Sequence, residues 1–249
     1  MAFIPLDTLS SPWKLGHKIS KGAFGVVYVS ADDDHDAIKV SRTVGAVMGE
    51  CLAEVRHLRH ENLLLVERVI ATRRGAFVRM RLVEGDELFH VARKVSDRLI
   101  MTVLMGLISA TSYLHMRDCV HRDIKPENIV LSTDGGRAVL VDLGSLKKIG
   151  ERAITQGTYF YQAPEAKGRK FQIVTTSLDD WSVGATIATV AAGRPINSVD
   201  ACLRSLKWRR LFIRPTVRCI IGEVAGMLTV DPSDRMSVRS LFRVMRSSI

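Results

Sequence analysis

The sequence is poor in the features that mark secreted, disulfide-stapled or zinc-binding proteins. It has 4 cysteines among 249 residues, and no two of them form a C-x-x-C pair. We therefore expect reduced, mostly buried thiols and a reducing compartment, the cytoplasm or the nucleus. The N-terminal residues have no basic segment ahead of a long apolar core, so no secretory signal is expected.

Long apolar runs are also scarce, and there is no internal repeat or low-complexity tract. The longest apolar stretch, residues 99–114, contains hydroxyl side chains and is bounded by charged residues. This stretch is too short and too mixed to cross a bilayer, whereas its apolar residues recur at helical spacing. We expect a helix buried inside the protein and no association with a membrane.

Acidic residues are outnumbered, since 36 basic and 26 acidic side chains give a net charge of +10. Residues 147–218 alone contain 13 basic and 5 acidic side chains, or +8. A basic face of this kind suits nucleic acid, a positive field near a peptide groove or simple solvation. Trp208 is the only aromatic side chain within the basic clusters, so platforms for base stacking are lacking and nucleic-acid binding is disfavoured.

One stretch, residues 121–128, combines three groups that are used in phosphoryl transfer. Its sequence is His-Arg-Asp-Ile-Lys-Pro-Glu-Asn. In such a loop Asp123 accepts the proton of an attacking hydroxyl, Lys125 offsets charge on the transferring phosphoryl group, and Asn128 helps to hold a metal ion. An Asp beside an Arg is often only a surface ion pair, but this order of residues rarely occurs by chance.

A second acidic residue follows a short apolar run. Residues 138–141 are all apolar and predict a buried strand that ends at the triplet Asp142-Leu143-Gly144. A carboxylate delivered to a turn in this way can carry Mg2+. We expect Asp142 and Asn128 to be the metal-binding residues.

Glycines near the N-terminus predict a phosphate-binding loop. Residues 19–28 have the pattern of a strand, a turn and a second strand, and Gly22 and Gly25 would let backbone N–H groups approach phosphate oxygens. The alternative is an ordinary hairpin turn, which a glycine pair between apolar runs forms more often. The position of the segment ahead of the other motifs favours phosphate binding.

A single lysine, Lys39, lies inside an apolar run, where an unpaired ammonium would be costly to bury. It requires a nucleotide phosphate or a helix carboxylate as its partner. Glu50 and Glu54 are the candidates, since they are one helical turn apart. We choose Glu54 because fifteen residues (54 − 39) leave room for a loop and two helical turns, and because Leu58 continues an apolar face. Glu50 is the fallback.

Taken in order, these motifs resemble those of the eukaryotic-type protein kinase domain, along nearly the whole chain. Lys125 and the residues after it resemble the serine/threonine branch. The resemblance implies that ATP and Mg2+ are the cofactors and that proteins are the substrates. The motifs that carry it are residues 19–28, 37–39, 121–128, 142–144, 157–165, 180–184 and 231–235.

The resemblance also implies the fold. We expect an α+β, bilobal protein-kinase fold in a single domain of residues 13–249. A small antiparallel-sheet lobe would cover about residues 13–80, a hinge residues 81–83, and a larger helical lobe about residues 84–249, with the nucleotide between the lobes. Alternation in residues 76–82 agrees with the last strand of the small lobe.

Further residues are assigned to the nucleotide site by the same resemblance. Met80 falls where the back of the adenine pocket is guarded, and it would also serve as core filling. The backbone of the hinge would hydrogen-bond adenine, and Lys39 and Glu54 would complete the catalytic set with Asp123 and Lys125. The predicted nucleotide-binding residues are Ile19, Ser20, Gly22, Gly25, Val27, Ala37, Lys39, Met80, Arg81 and Val83.

Two residues depart from the family's pattern. Ser20 occupies the place of the first glycine in the phosphate loop, so we expect weaker nucleotide binding and not its loss. Leu143 replaces the commoner Phe and keeps an apolar packing role. The resemblance further assigns Asp180 to anchoring the backbone of the catalytic loop, and Glu165 and Arg235 to a buried ion pair.

Two threonines ahead of the Ala-Pro-Glu motif have predicted roles. Thr155 is predicted to be an activating phosphorylation site, because the Arg122 guanidinium is placed to bind its phosphate bidentately. The alternative is that this short segment is held by its own packing and that Thr155 is merely a solvent-exposed threonine. Thr158 is expected to contact Asp123 and Lys125 in the active state.

The substrate motif stays open at this point. The basic residues of 147–218 suggest a positive field near the peptide groove, while Glu84, Asp86 and Glu87 just beyond the hinge would select basic residues. The alternative to an active kinase is a catalytically weak kinase-fold scaffold, which only Ser20 and the compact outline favour. That outline also resembles the reduced kinases of large DNA viruses and suggests a viral origin in a host cell.

Overall fold

The computed structural model contains two compact units, Met1–Val83 and Glu84–Ile249. The first consists mainly of strands and the second mainly of helices, which confirms the predicted α+β class. The residues that the structure describes are 11–22, 25–41, 52–72, 75–91, 96–133, 136–193, 198, 201–204, 206–207 and 215–247.

The first unit is built on a five-stranded antiparallel sheet with the order β1-β2-β3-β5-β4. Strands β2, β3 and β5 are buried at most of their positions, whereas most residues of β1 are exposed. A short helix, α1 (Leu52–Val55), separates β3 from β4 along the chain. The strands are β1 (Leu15–Gly22), β2 (Gly25–Ser30), β3 (Asp36–Ser41), β4 (Val66–Thr72) and β5 (Gly75–Arg81).

The two faces of this sheet differ in character. Ile38 and Val40 of β3 join Phe77 of β5 in a buried hydrophobic cluster. Because side chains alternate along a strand, Ala37 and Lys39 belong to the opposite face. The core-forming residues and the predicted lysine are therefore separated by the sheet itself.

A buried carboxylate fixes the edge of β3 against β5. Asp36 is almost completely buried and pairs across the sheet with Arg81. It accepts hydrogen bonds from Arg79 Nε at 2.7 Å and from Arg81 Nη1 at 3.4 Å. A buried charge of this kind is tolerated because it is paired and hydrogen-bonded.

The second unit is organised around long helices. Helix α3 is capped by the side chain of Ser96, which accepts a hydrogen bond from the N–H of Leu99 at 3.1 Å. Helix α4 is buried on all sides between Leu178 and Ala191 and ends at Gly193, whose φ of 67° is the left-handed value typical of a helix end. The helices are α2 (Leu88–Val91), α3 (Asp97–His115), α4 (Thr176–Ala192), α5 (Pro215–Gly226) and α6 (Val238–Ser247).

Helix α3 contains the apolar stretch that we expected to be too short for a membrane. It is 19 residues long, and by length and composition alone it is the one helix in the described part of the chain that would cross a bilayer. Its buried residues include Ile100, Leu104, Ile108 and Leu114, each with no exposed side-chain surface. This placement is that of a core helix, and the length argument in the prediction was wrong.

Three small sheets position the loops of the second unit. The sheet β6-β8-β9 contains a tight hairpin between β8 and β9, while β7 pairs with β10 and β11 pairs with β12, all antiparallel. The strands are β6 (Gly85–Glu87), β7 (Cys119–Val120), β8 (Ile129–Ser132), β9 (Ala138–Leu140), β10 (Lys147–Lys148), β11 (Arg152–Ile154) and β12 (Phe171–Ile173).

The predicted ion pair between Glu165 and Arg235 is confirmed. Arg235 donates from Nη1 and Nη2 to the two carboxylate oxygens of Glu165, at 2.7 and 2.9 Å. Its other N–H groups donate to the carbonyl oxygens of Thr229, Ser177 and Val230. A bidentate pair with a buried guanidinium ties three segments of the unit together.

Asp180 in the first turns of α4 anchors helix α6. Its Oδ1 accepts a hydrogen bond from the N–H of Val238, the first residue of α6, at 2.7 Å. The side chain is only 3% exposed. Burial raises the pKa of Asp180 from its ordinary 3.8 to about 6, although the Val238 N–H opposes the shift.

We predict that Asp180→Asn gains stability relative to the wild type as the pH rises. The folded protein holds the Asp180 proton up to about pH 6, whereas the unfolded chain releases it near 3.8. The ionised form therefore destabilises the fold, by roughly 3 kcal/mol once both states are ionised. The substituted asparagine does not titrate and still offers an oxygen to Val238.

Urea unfolding of both proteins between pH 4 and pH 7 measures this difference. The stability of the variant minus that of the wild type is expected to increase across this window. A difference that stays constant with pH would show that Asp180 is ionised in the folded protein with an ordinary pKa.

Candidate active site

The carboxylate of Asp123 lies at the centre of a cluster of donors. Its Oδ2 is 3.0 Å from Lys125 Nζ and accepts a hydrogen bond from Asn128 Nδ2, also at 3.0 Å. Its Oδ1 accepts from the N–H and the hydroxyl of Thr158, at 3.2 and 3.3 Å. Four donors thus orient a carboxylate that remains partly exposed, as a group that must receive a proton requires.

Lys125 and Thr158 are joined directly. Lys125 Nζ donates to Thr158 Oγ1 at 2.6 Å, while the same hydroxyl donates to Asp123. The contacts that we expected between Thr158 and the two catalytic-loop residues are therefore present. The catalytic roles of Asp123 and Lys125 stay predictions that geometry alone does not test.

Asn128 and Asp142 are brought to the same end of the β8–β9 hairpin. Asn128 directly precedes β8, and Val141 follows β9 and donates its N–H to the carbonyl oxygen of Asn128 at 2.8 Å. Asp142 is the next residue, with a left-handed φ of 58°, and its side chain accepts from the N–H of Gly144 at 3.3 Å. Asn128 and Asp142 are fourteen residues apart in sequence, and the hairpin brings them to the same end of the strand pair.

These two residues fit a Mg2+ ion. An amide oxygen and a carboxylate are ligands of the type that Mg2+ prefers, and the ion commonly takes one or two side chains and completes its shell with phosphates and water. Across the described ranges, no group of three or more His, Cys, Asp or Glu side chains would hold a metal by itself. The assignment of Asn128 and Asp142 as ligands of Mg2+ stays a prediction.

Asp179, and not Asp180, anchors the backbone of the catalytic loop, residues 121–128. The prediction that Asp180 has this role was wrong. Asp179 accepts the N–H of His121 and the N–H of Arg122, both at 2.8 Å. His115 of α3 adds a third contact to Asp179 Oδ2 at 3.1 Å. The two adjacent acids lie in the first turns of α4. Because one step along a helix turns the side chain by about 100°, the motif alone did not tell which acid faces the loop.

Asp179 is the most completely buried acid of the site. Burial by itself would raise its pKa, but the His115 hydrogen bond, the neighbouring imidazoles and the Arg122 N–H together hold the pKa below its ordinary value. His121 is also buried, accepting the Asp123 N–H at Nδ1 and donating from Nε2 to the Val141 carbonyl at 3.3 Å. His121 thereby connects the loop to the strand that precedes Asp142.

Gly157 is a residue of the site that the sequence reasoning did not single out. Its φ is +107°, and a Cβ atom there would lie 2.8 Å from the Arg122 carbonyl oxygen, so only glycine fits without strain. This close approach brings Thr158 to Asp123. The signal in the sequence was a glycine directly before the threonine.

Arg122 binds neutral groups of the activation segment, which is the stretch of residues 142–165. Its Nη2 donates to the carbonyl oxygen of Ile154 at 2.5 Å and lies 3.4 Å from Gln156 Oε1. Thr155 lies between these two residues, its N–H donating to the Lys170 carbonyl at 3.0 Å. Its hydroxyl is buried and has no hydrogen-bond partner among the described residues. This arrangement favours the alternative that the segment is held by its own packing, although the part of that alternative that makes Thr155 solvent-exposed was wrong for its hydroxyl. The contacts do not test the sequence prediction that Thr155 is phosphorylated.

Four of the predicted nucleotide-binding residues share one face of the first unit's sheet. The register pairs Lys39 with Val27 on β2, and Ala37 with Met80 on β5. Directly opposed residues point to the same side of a sheet, and residues two apart on a strand do so as well. Val27, Ala37, Lys39 and Met80 therefore lie on the face opposite the hydrophobic cluster.

The remaining nucleotide residues are exposed or occupy strand positions. Ile19 and Ser20 lie on β1 and are exposed. A Cβ at Gly22 would meet nothing within 4 Å, whereas a Cβ at Gly25 would collide with the Val40 carbonyl of β3. Gly25 thus has a packing role between strands that the sequence did not reveal, and Gly22 is the glycine whose surroundings are open.

The predicted hinge uses part of its backbone within the first unit. The N–H of Arg81 donates to the Leu65 carbonyl at 2.9 Å, and that of Leu82 donates to the His35 carbonyl at 2.7 Å. Val83 is partly buried. The adenine contacts assigned to the backbone of Arg81 and Val83 stay predictions.

The structure does not decide between Glu50 and Glu54 as the partner of Lys39. Glu54 lies in α1 and is partly buried. Glu50 lies outside the described residues. The pairing of Glu54 with Lys39 stays a prediction.

Comparison with known families identifies the chain at the level of its family. The protein kinase domain model matches residues 13–244. The chain therefore belongs to the protein kinase family, as its motifs predict, and phosphotransferase activity and ATP binding follow at the level of that family.

Its curated relatives are similar at modest identity. CBL-interacting protein kinase 4 of Oryza sativa subsp. japonica is 29% identical over 94% of this chain and 57% of its own length. Serine/threonine-protein kinase chk-2 of Caenorhabditis elegans is 28% identical over 90% of the chain and 54% of its length. CBL-interacting serine/threonine-protein kinase 12 of Arabidopsis thaliana is 29% identical over 76% and 42%. The chain spans about half the length of the curated relatives that it matches.

We predict that Asp179→Ala lowers phosphoryl transfer at least about tenfold while Asp180→Asn does not. The alanine leaves the buried N–H groups of His121 and Arg122 without an acceptor, at a cost of about 1–3 kcal/mol each, so the loop loses its position. Transfer rates and melting temperatures of both variants measure the effect. Where the alanine protein fails to fold, Asp179→Asn retains one oxygen and takes its place. Equal rates for Asp179→Asn and the wild type would argue against the anchoring role.

A second prediction concerns Thr155. We expect Thr155→Val to keep the transfer rate within about twofold, because a methyl group replaces a buried hydroxyl that makes no hydrogen bond. Mass spectrometry of the active wild type is expected to find Thr155 unmodified. Stoichiometric phosphate on Thr155, together with an inactive valine variant, would contradict this expectation and support Thr155 as an activating phosphorylation site.

Proposed function

We propose that this chain is a serine/threonine protein kinase that transfers the γ-phosphoryl group of ATP to hydroxyl groups of proteins. The observation that carries the proposal is the orientation of the Asp123 carboxylate by Lys125, Asn128 and Thr158. The lysine two residues after the catalytic Asp supports the serine/threonine branch, as do the names of two relatives, which are described as serine/threonine-protein kinases.

In the proposed mechanism the substrate hydroxyl donates its proton to Asp123 as its oxygen attacks the γ-phosphorus. The bond to the ADP oxygen breaks at the same centre, and Lys125 offsets the negative charge that spreads over the phosphoryl oxygens. Thr158 holds both side chains at hydrogen-bond distance before the substrate arrives. This prior arrangement lowers the cost of bringing the reacting groups together.

Asn128 and Asp142 would hold Mg2+, which when bound neutralises charge on the nucleotide phosphates. On the first unit, Lys39 would position the phosphates. The open surroundings of Gly22 suit a close approach of backbone N–H groups to phosphate oxygens. Ser20, in place of a glycine, would weaken this binding without removing it.

We also propose an intracellular setting in the cytoplasm or nucleus. Cys119 and Cys202 are buried thiols, and burial raises the pKa of Cys202 to about 11, which makes it a poor nucleophile. Such thiols suit a reducing compartment. A viral origin stays a prediction of the sequence.

The decisive test is radiolabel transfer from ATP to basic and acidic protein substrates in the presence of Mg2+. Asp123→Asn is expected to lower the rate by roughly 100- to 10,000-fold, because the general base is lost. Lys39→Met and Asp142→Ala are expected to lower it by comparable factors while leaving the fold intact.

The matched control is Asp34→Asn, which makes the same chemical change at a side chain that is 90% exposed on the first unit. It is expected to keep the wild-type rate. Wild-type protein that transfers no more label than Asp123→Asn would identify a kinase-fold scaffold instead of an enzyme.

A further inference from the structure

The short sheet of β11 and β12 presents a solvent-facing surface that is both apolar and positively charged. Ala153 and Gln172, which pair across the sheet, are buried. The alternating residues therefore point outward, and Ile154, Phe171 and Ile173 are 55%, 40% and 55% exposed. The residues Arg152, Ile154, Lys170, Phe171 and Ile173 are called the β11–β12 face.

The positive charges of this face contact an aromatic ring. Arg152 Cζ lies 4.9 Å from the centre of the Phe171 ring, and Lys170 Nζ lies 5.7 Å from it. Within the described part of the chain, no carboxylate is within ion-pair distance of either cation. The ring holds both charges near one exposed apolar surface.

The acidic residues Glu151 and Glu165 already form ion pairs with side chains outside this face. Glu151, directly before β11, forms an ion pair with Lys147 at 3.5 Å. Glu165 is bound bidentately by Arg235. The β11–β12 face therefore keeps its positive field, which complements an anionic partner.

The face lies close to the proposed reacting group. The N–H of Thr155, next to β11, donates to the carbonyl of Lys170. Ile154 and Thr158 are four positions apart along the chain (158 − 154), so their Cα atoms are at most about 14 Å apart. Thr158 in turn contacts Asp123. A peptide bound at Asp123 therefore needs only a few further extended residues to reach this face.

We propose that the β11–β12 face binds an acidic segment of the protein substrate. Carboxylates of that segment pair with Arg152 and Lys170, and an apolar side chain beside them covers Ile154 and Ile173. This inference rests on the proposed function and names its substrate class. It is an alternative to the expectation that Glu84, Asp86 and Glu87 select basic residues.

Binding is tested first without catalysis, in the Asp123→Asn protein. The probe is a fluorescein-labelled serine peptide rich in glutamate and leucine, compared by anisotropy with its glutamine-for-glutamate counterpart. We expect the glutamate peptide to bind about fivefold more tightly, with a preference that weakens as salt is added. Arg152→Glu and Lys170→Glu, introduced into this protein, are expected to remove the preference.

The matched control is Arg239→Glu, which makes the same change of charge at an exposed residue of α6. It is expected to leave the preference intact, and melting temperatures report the fold of each variant. Equal binding of the two peptides, or an equal loss in Arg239→Glu, overturns the proposal. A change of oligomeric state in Arg152→Glu by analytical ultracentrifugation also overturns it, in favour of a second copy of the chain on this face.

Kinetics separate this proposal from the proposed function. With the wild-type protein, kcat/KM for the glutamate peptide is expected to exceed that for the glutamine peptide. Arg152→Glu is expected to equalise the two values, whereas Arg239→Glu is expected to keep the wild-type difference. Selective binding without transfer to any substrate contradicts the proposed function alone. Transfer that is insensitive to both the peptide charge and Arg152→Glu contradicts the docking proposal alone.

Discussion

The catalytic loop depends on the buried carboxylate of Asp179. Its two oxygens hold the consecutive N–H groups of His121 and Arg122. Arg122 adopts a left-handed φ of 72°, a conformation that costs free energy for a residue with a side chain. The hydrogen bonds to Asp179 keep the loop in this conformation, and the direction of the Asp123 side chain follows from it. A helix that carries no reacting group thus determines where the proposed base points.

Local spacing explains why much of the site was predictable. Asp123, Lys125 and Asn128 lie within six residues of each other (128 − 123 + 1), so a single loop brings them together. The hairpin of β8 and β9 then adds Asp142 through one strand pairing. Alternation on β3 likewise separated Lys39 from the core. The strand-rich and helix-rich parts were expected from the resemblance to protein kinases, and the match to the protein kinase domain model confirms that fold.

What the sequence missed depends on registers and rotations that short patterns do not encode. The choice between Asp179 and Asp180 needed the orientation of α4 against the loop. The packing role of Gly25 appears only when β2 lies beside Val40. The position of Thr155 beside Lys170 appears only when β11 pairs with β12, whose partner residues are about twenty apart in sequence. In each case a neighbour that is distant along the chain decides the environment.

The guanidinium of Arg235 uses all five of its N–H donors, two on Glu165 and three on backbone carbonyls. These acceptors come from the end of the activation segment, the first turn of α4 and the chain after α5. If any one of the three segments moves away, a buried cation keeps a donor without an acceptor, which is unfavourable. The three segments therefore form one cooperative unit for local unfolding, so the end of the activation segment shares its opening free energy with the helical core.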